Sequence, residues 1–293
     1  MAKLLFILLA ALPLFGTARA VWAASTSATA LGARYTSLEP ALRHTPFNRP
    51  LVLDSTETPD RINGEIHAVI EQPFAATVAG LNDPSHWCDL LLLHMNTKFC
   101  QAKNRPAGTV LDIAIGRKTP QALADATRME LTFNGAASTP DHLQIELSAH
   151  KGPMGTSDYR IRLEAIPLAG PRTFLHFTYS YAYDPVARLA MWTYLNTIGA
   201  SKVGFTSTGI AANGRPGLVG GMRGLAERNT MRYYLAIEAY LASGRLAPAQ
   251  QLDARLQSWF TAIEDYPRQL NDMSRGDYLS MKRSEAARQA RAD

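Results

Sequence analysis

Cysteine is scarce in this chain, with two among 293 residues. That count excludes a disulfide-rich scaffold and the zinc modules built on repeated Cys-x-x-Cys pairs. Charge is modest, at 19% of residues and a formal net of +5, and no basic stripe is interleaved with aromatics. Nucleic acid is therefore excluded as a partner. The 20 glycines follow no collagen-like period, and beyond the N-terminal run no apolar stretch reaches the ~20 residues that a membrane-spanning helix needs. What the chain does hold is apolar side chains, 46% of the total. That is too many for intrinsic disorder and enough to bury a substantial core.

The N-terminus reads as a targeting segment. Met1-Ala2-Lys3 supplies one positive charge, Leu4 to Phe15 is apolar apart from Pro13, and Ala18-Arg19-Ala20 is a small-x-small exit. This pattern predicts a secretory signal over residues 1–20, with Val21-Trp22-Ala23 as a second exit. The protein is expected in the periplasm or secreted, with no membrane span in the mature chain. Export changes how Cys88 and Cys100 read. In an oxidising compartment, with no third cysteine to compete, they are predicted to pair, and a loop of this size is worth ~3 kcal/mol in the chain-entropy model. Free thiols are the alternative. His86 and His94 lie beside the pair at no common zinc spacing, so neither metal nor cofactor is expected.

Residues 21–60 are rich in Ala, Ser, Thr and Pro without sustained period and read as a leader or loosely docked arm. A strand follows at 61–70, where Ile62, Ile66 and Ile70 share one face. Gln72-Pro73-Phe74 opens a short helix through Leu81, and Ser85 is a plausible cap for a second through Leu93. Strands are then predicted at 98–103, 109–117, 129–133, 143–150, 159–166 and 173–183. Turn-formers separate them, including Asn134-Gly135. A helix is expected over 186–197, one more strand at 202–207, and helices from 217 onward. Strands followed by helices indicate an α+β chain with an antiparallel sheet. Such a sheet curls, and the long helix must cover its concave face.

On that helix Met222, Leu225, Ala226, Tyr233, Ala236, Ile237 and Tyr240 share one face, while Arg223, Glu227 and Glu238 point away and Arg228 and Arg232 flank it. Asn229 sits within the apolar stripe. Either it reaches a backbone group or it is presented to a ligand cavity, because an unbonded buried amide costs ~1–3 kcal/mol. The element order, with Gln72-Pro73-Phe74 after the first strand, Pro84-x-x-Trp87-Cys88 in the second helix and Lys202-Val203-Gly204-Phe205 before the covering helix, resembles the START-like (SRPBCC) helix-grip superfamily. The resemblance runs from Arg61 to Leu241 and implies a helix-grip domain over 61–245, with a helical C-terminal extension over 246–293. It also implies a cavity between sheet and helix that binds lipids or other hydrophobic small molecules.

Strand 173–183 has two unequal faces. One carries Leu175, Phe177, Tyr179, Tyr181 and Tyr183, and the other Phe174, His176, Thr178, Ser180 and Ala182. The smaller face, looking inward, would leave room for a guest, whereas the aromatic face would plug the space. The candidate ligand contacts are accordingly Phe174, His176 and Thr178 with Met222, Leu225, Asn229 and Tyr233.

Catalytic signatures are absent. Gly204–Gly209 has one residue too many for a nucleophile elbow, Gly217–Gly224 fits no phosphate-binding loop, and no histidines have H-E-x-x-H spacing. Each histidine reads as structural or surface, and alternation places Asp112 and Glu130 outward. No catalytic residue is assigned. In the tail, Leu252, Leu256, Trp259, Phe260 and Ile263 form a stripe that should dock on its own domain. Lys282, Arg283, Arg288 and Arg291 make a basic end that is either a solvated helix or a weak contact with anionic membrane. Three functional readings follow: an exported carrier of an apolar molecule, an envelope interaction protein with a filled interior, or an enzyme using Asn229, His176 and Tyr179 on an apolar substrate.

Overall fold

The computed structural model describes residues 18–197, 201–210, 214 and 216–291. Period-two alternation builds the main layer: β1 (Leu51–Glu57), β2 (Arg61–Ile70), β3 (Thr97–Arg105), β4 (Gly108–Ile115), β5 (Thr127–Thr139), β6 (His142–Lys151), β7 (Thr156–Pro167) and β8 (Thr173–Tyr183). These pair antiparallel throughout, in the order β1-β2-β8-β7-β6-β5-β4-β3. The strands from β3 to β8 are a meander, and β2 then pairs with β8, so the chain's first strands complete the layer beside its last. Between β2 and β3 run two short helices, α2 (Phe74–Leu81) and α3 (Pro84–Leu92). The cap of α3 is Asp83, whose carboxylate accepts from the Ser85 N–H, with Pro84 in the first turn, so the cap lies two residues before the expected Ser85.

After β8 come α4 (Pro185–Asn196), a small hairpin of β9 (Ser207–Ile210) and β10 (Pro216–Leu218), and the long α5 (Gly221–Ser243), followed by α6 (Pro248–Glu264), α7 (Pro267–Leu270) and α8 (Arg275–Gln289). Helix α5 lies across β1, β2 and β8, which is the helix-grip arrangement expected. Close approach depends on Gly64 of β2, where an added Cβ would stand 2.3 Å from Thr230 Oγ1 of α5. Cys88 of α3 and Cys100 of β3 form a disulfide with Cα atoms 5.1 Å apart. No helix of the described residues is long and apolar enough to cross a membrane.

Several expectations need correction. The segment 21–60 is not a loose arm, since Ala18–Arg43 is helical (α1) and Leu51–Glu57 is an edge strand of the main sheet. Leu31, Leu38, Leu42 and Tyr35 of α1 pack on Val69, Ile166 and Phe174, on the sheet face opposite α5. Small Ala, Ser and Thr spread this helix's apolar contacts too thinly for a periodic signal. Both expected cleavage points, after residues 20 and 23, fall inside α1, and the apolar run 4–15 lies outside the described residues. The expected strand at 202–207 is not in the sheet, because β2 already holds the free edge of β8. Asn134-Gly135 is not a turn either. Strand β5 runs on to Thr139 with a register shift between Phe133 and Ala136, so the dipeptide makes a bulge.

Helix α5 is buried on more sides than its pattern suggests. Glu227, expected to point away, is fully buried. Its carboxylate accepts from Ser55 Oγ (2.6 Å), Thr206 Oγ1 (2.7 Å) and the Thr206 N–H (2.9 Å), which ties β1 and the 203–206 segment to the helix. Arg228 and Arg232 are likewise buried, Arg228 donating to Val203 O at 3.2 Å and Arg232 pairing with Asp272 where α6 closes over the back of α5. Trp259 of α6 donates its indole N–H to Arg232 O at 3.0 Å, and its ring stacks on Tyr278 of α8 at 4.9 Å. As expected, Leu256, Trp259, Phe260 and Ile263 dock on the chain's own domain, and Leu252 remains part-exposed.

The tail's cations turn inward. Lys282 is fully buried and donates to His94 O, Thr97 O and Glu285 Oε2 at 2.7–2.8 Å. The same Glu285 accepts from buried Lys98 at 3.0 Å. Arg283 pairs with Asp253, and Arg288 donates to Lys98 O at 2.8 Å. Gln289 Oε1 accepts from the Cys100 N–H, so α8 shields the open edge of β3. Three of the four tail cations are thus engaged within the chain rather than left for a membrane surface.

A hollow between the sheet and the long helix

Because side chains alternate, one face of β8 meets α5 and the other meets α1. The face toward α5 carries Phe177, Tyr179, Tyr181 and Tyr183, all buried, which reverses the orientation that would have put the smaller residues inside. The aromatic face does not plug the space. A cavity of about 540 Å³ remains between α5 and the middle of the sheet. Its walls are aliphatic on the strand side, including Ile113, Leu131 and Ile161, and aromatic toward α5, with Tyr159, Tyr179, Tyr181 and Tyr233. These rings pack on one another, Tyr159 with Tyr181 at 5.1 Å and Tyr179 with Tyr233 at 5.3 Å, leaving the hollow on the β4–β5 side.

Of the residues expected to touch a ligand, Leu225, Asn229 and Tyr233 line the cavity. Helical spacing of four residues stacks them down one face of α5. Asn229 is the polar group presented to the hollow, and its Oδ1 accepts from Arg232 Nη1 at 3.3 Å rather than from a backbone group. Met222 is buried in the core and does not line the cavity. Phe174, His176 and Thr178 lie on the opposite face of the sheet, since even-numbered positions of β8 point toward α1: Phe174 packs on Tyr35 at 5.1 Å. Asp112 and Glu130 point outward as alternation predicted, Asp112 pairing with Lys103 at 2.7 Å.

His94 is the residue that sequence reasoning passed over. It follows α3, stacks on Tyr233 at 5.0 Å and lines the cavity. Its Nδ1 accepts the Asn96 N–H at 3.2 Å, which leaves the proton of the neutral ring on Nε2. That Nε2 is buried and has no hydrogen-bond partner. Burial, with Arg232, Lys282 and Lys118 nearby, holds the His94 pKa well below that of an ordinary histidine. Burial likewise raises the phenols of Tyr159, Tyr179, Tyr181 and Tyr233. Near neutral pH these groups offer hydrogen bonds rather than proton transfer. The sequence signal for His94 was its place beside the cysteines at no common zinc spacing, which says nothing of a cavity.

The mouth is formed by the β4–β5 link, including exposed Arg117 and Asp125, by the Pro153–Gly155 turn, and by α4. Met191 of α4 faces the cavity, and the opposite side of that helix exposes Val186, Leu189 and Trp192.

No protein-family description matches the chain, and no curated protein matches it. Solved structures do. Human StAR-related lipid transfer protein 5 is similar at TM-score 0.35 and 8% identity, covering 75% of this chain and 97% of that one. Truncated norcoclaurine synthase from Thalictrum flavum is similar at 0.32 and 13%, over 50% and 92%. CalU16 from Micromonospora echinospora is similar at 0.31 and 10%, over 73% and 97%. Likenesses of this strength carry no argument about ligand or activity. The fold described above rests on this chain's own strand order and helix placement.

Proposed function

We propose that this chain is an exported protein that holds a hydrophobic small molecule, a lipid or a molecule of similar character, in the hollow beneath α5. One observation carries the reading: a cavity of about 540 Å³ between the sheet and α5 with mostly apolar walls, into which Leu225, Asn229 and Tyr233 of that helix project. Clefts with apolar walls and a few convergent polar groups suit small apolar ligands. Export is supported by the N-terminal pattern and by the Cys88–Cys100 disulfide.

Native mass spectrometry of gently purified protein tests the reading. Wild type should carry a non-covalent apolar mass, and Leu131→Trp, which places an indole in the hollow, should lack it. A wild-type protein that carries none and takes none up from an added lipid mixture would overturn the proposal.

A further inference from the structure

The sheet face away from the cavity brings together residues that are far apart in sequence. Register sets His67 of β2 opposite His176 of β8, and His176 opposite Glu164 of β7. Glu65, two positions before His67, points to the same side. The two imidazoles lie face to face, with centroids 4.1 Å apart and planes 5° from parallel. His176 Nε2 is 3.0 Å from Glu65 Oε2, and one donor atom each from Glu65, His67 and His176 lies within 4.8 Å of the others. None of this is visible in the linear spacing, and none of it serves the cavity.

We propose that Glu65, His67 and His176 form a binding site for a divalent transition-metal ion of the zinc class, between the sheet and α1. Two imidazoles and one carboxylate are a donor set for zinc and its first-row neighbours, with bonds of ~2.0–2.2 Å. The surroundings match what a ligating histidine requires. With Nε2 of His176 directed at the site, its Nδ1 faces Glu164 Oε2 at 3.8 Å, the carboxylate–histidine arrangement that orients a metal-bound imidazole. Glu164 in turn stands 3.5 Å from His142 Nε2, and His142 is buried with neither ring nitrogen hydrogen-bonded.

The charges agree. Glu65 and Glu164 bring two negative charges, which a divalent ion neutralises. The cations facing the group are Arg34 of α1 and Arg162 of β7, and Arg162 is paired with Glu146 at 3.0 Å. His67 is deeply buried, while His176 and Glu65 keep part of their side chains exposed, which leaves the ion a way in from solvent. Binding there would clasp β2 and β8 beneath α1.

Titration of the untagged full chain with cobalt chloride should develop visible ligand-field absorption that saturates at one equivalent, and zinc chloride should abolish it by displacement. His67→Gln, His176→Gln and Glu65→Gln should each weaken zinc binding by roughly tenfold or more, with His150→Gln, an exposed histidine of β6, unchanged. Should the variants fail to fold, X-ray absorption at the zinc edge of loaded wild type decides the matter, since two imidazole ligands and no sulfur are required. Absence of binding, a cobalt spectrum unaltered in folded His176→Gln, or fewer than two imidazoles at the zinc would overturn the proposal. Apolar-ligand retention is read separately, so either proposal can fail without the other.

Discussion

The two faces of one sheet have been put to different uses. Toward α5, the odd-numbered positions of β8 and their neighbours are aromatic and aliphatic, and they enclose a hollow. Toward α1, His176 of β8, Glu164 of β7 and Glu65 of β2 stand among a thinner set of apolar contacts. The same backbone thus presents an apolar container on one side and a polar, charge-bearing seam on the other. The α5 side is braced by a full helical layer, α6 to α8, where Glu285 of α8 pairs with both Lys98 and Lys282. The α1 side has a single small-residue helix. The comparison teaches that support is concentrated where the cavity is, as a hollow requires.

The largest test of that asymmetry is Glu285→Ala. It leaves Lys98 and Lys282 buried without their shared carboxylate, and loss of one partner from a buried ion pair costs ~3–5 kcal/mol. Urea denaturation should show a fall of that order. Acid comes next. Burial works to raise the Asp272 pKa, but Arg232, Lys118 and Lys202 outweigh it and hold the group at about 2, against an ordinary 3.8. A depressed folded-state carboxylate stabilises above the unfolded value, so about 2 kcal/mol should be lost as pH falls from 3.8 to about 2. Asp272→Asn should flatten that step. His94, held neutral in the fold, adds an earlier loss as pH drops below 6.5, because there the unfolded chain binds a proton that the folded chain does not.

Smaller effects separate container from scaffold. His94→Phe keeps the ring stacked on Tyr233 but removes the acceptor of the Asn96 N–H, so thermal melts should show a loss of ~1 kcal/mol. On the other face, Tyr35→Ala removes a partly buried ring from Phe174 and should cost only ~1 kcal/mol in urea denaturation. A loss matching that of Glu285→Ala would mean that α1 is as much a part of the core as α8.

Local patterns made much of the fold legible. Strand 173–183, both short helices, the disulfide and the α5 stripe with Leu225, Asn229 and Tyr233 were readable because each depends on spacing within one segment. What failed depends on partners. The burial of Glu227 comes from Ser55 and Thr206, neither of which its own helix announces. Which face of β8 points inward is set by α1, whose Ala-, Ser- and Thr-rich sequence carries no clear period. Phe174, His176 and Thr178 were therefore assigned to the wrong side. The grouping of Glu65, His67 and His176 arises only from the register of β2 on β8, and His94 becomes a cavity residue only once Tyr233 stacks against it.

The most direct measurement is a fluorescence titration of wild type and Leu131→Trp with a long-chain apolar probe. The account predicts saturable binding at one probe per wild-type chain, competed by unlabelled lipid, and none to a folded Leu131→Trp. Equal binding by the two proteins, or none by wild type, would contradict it.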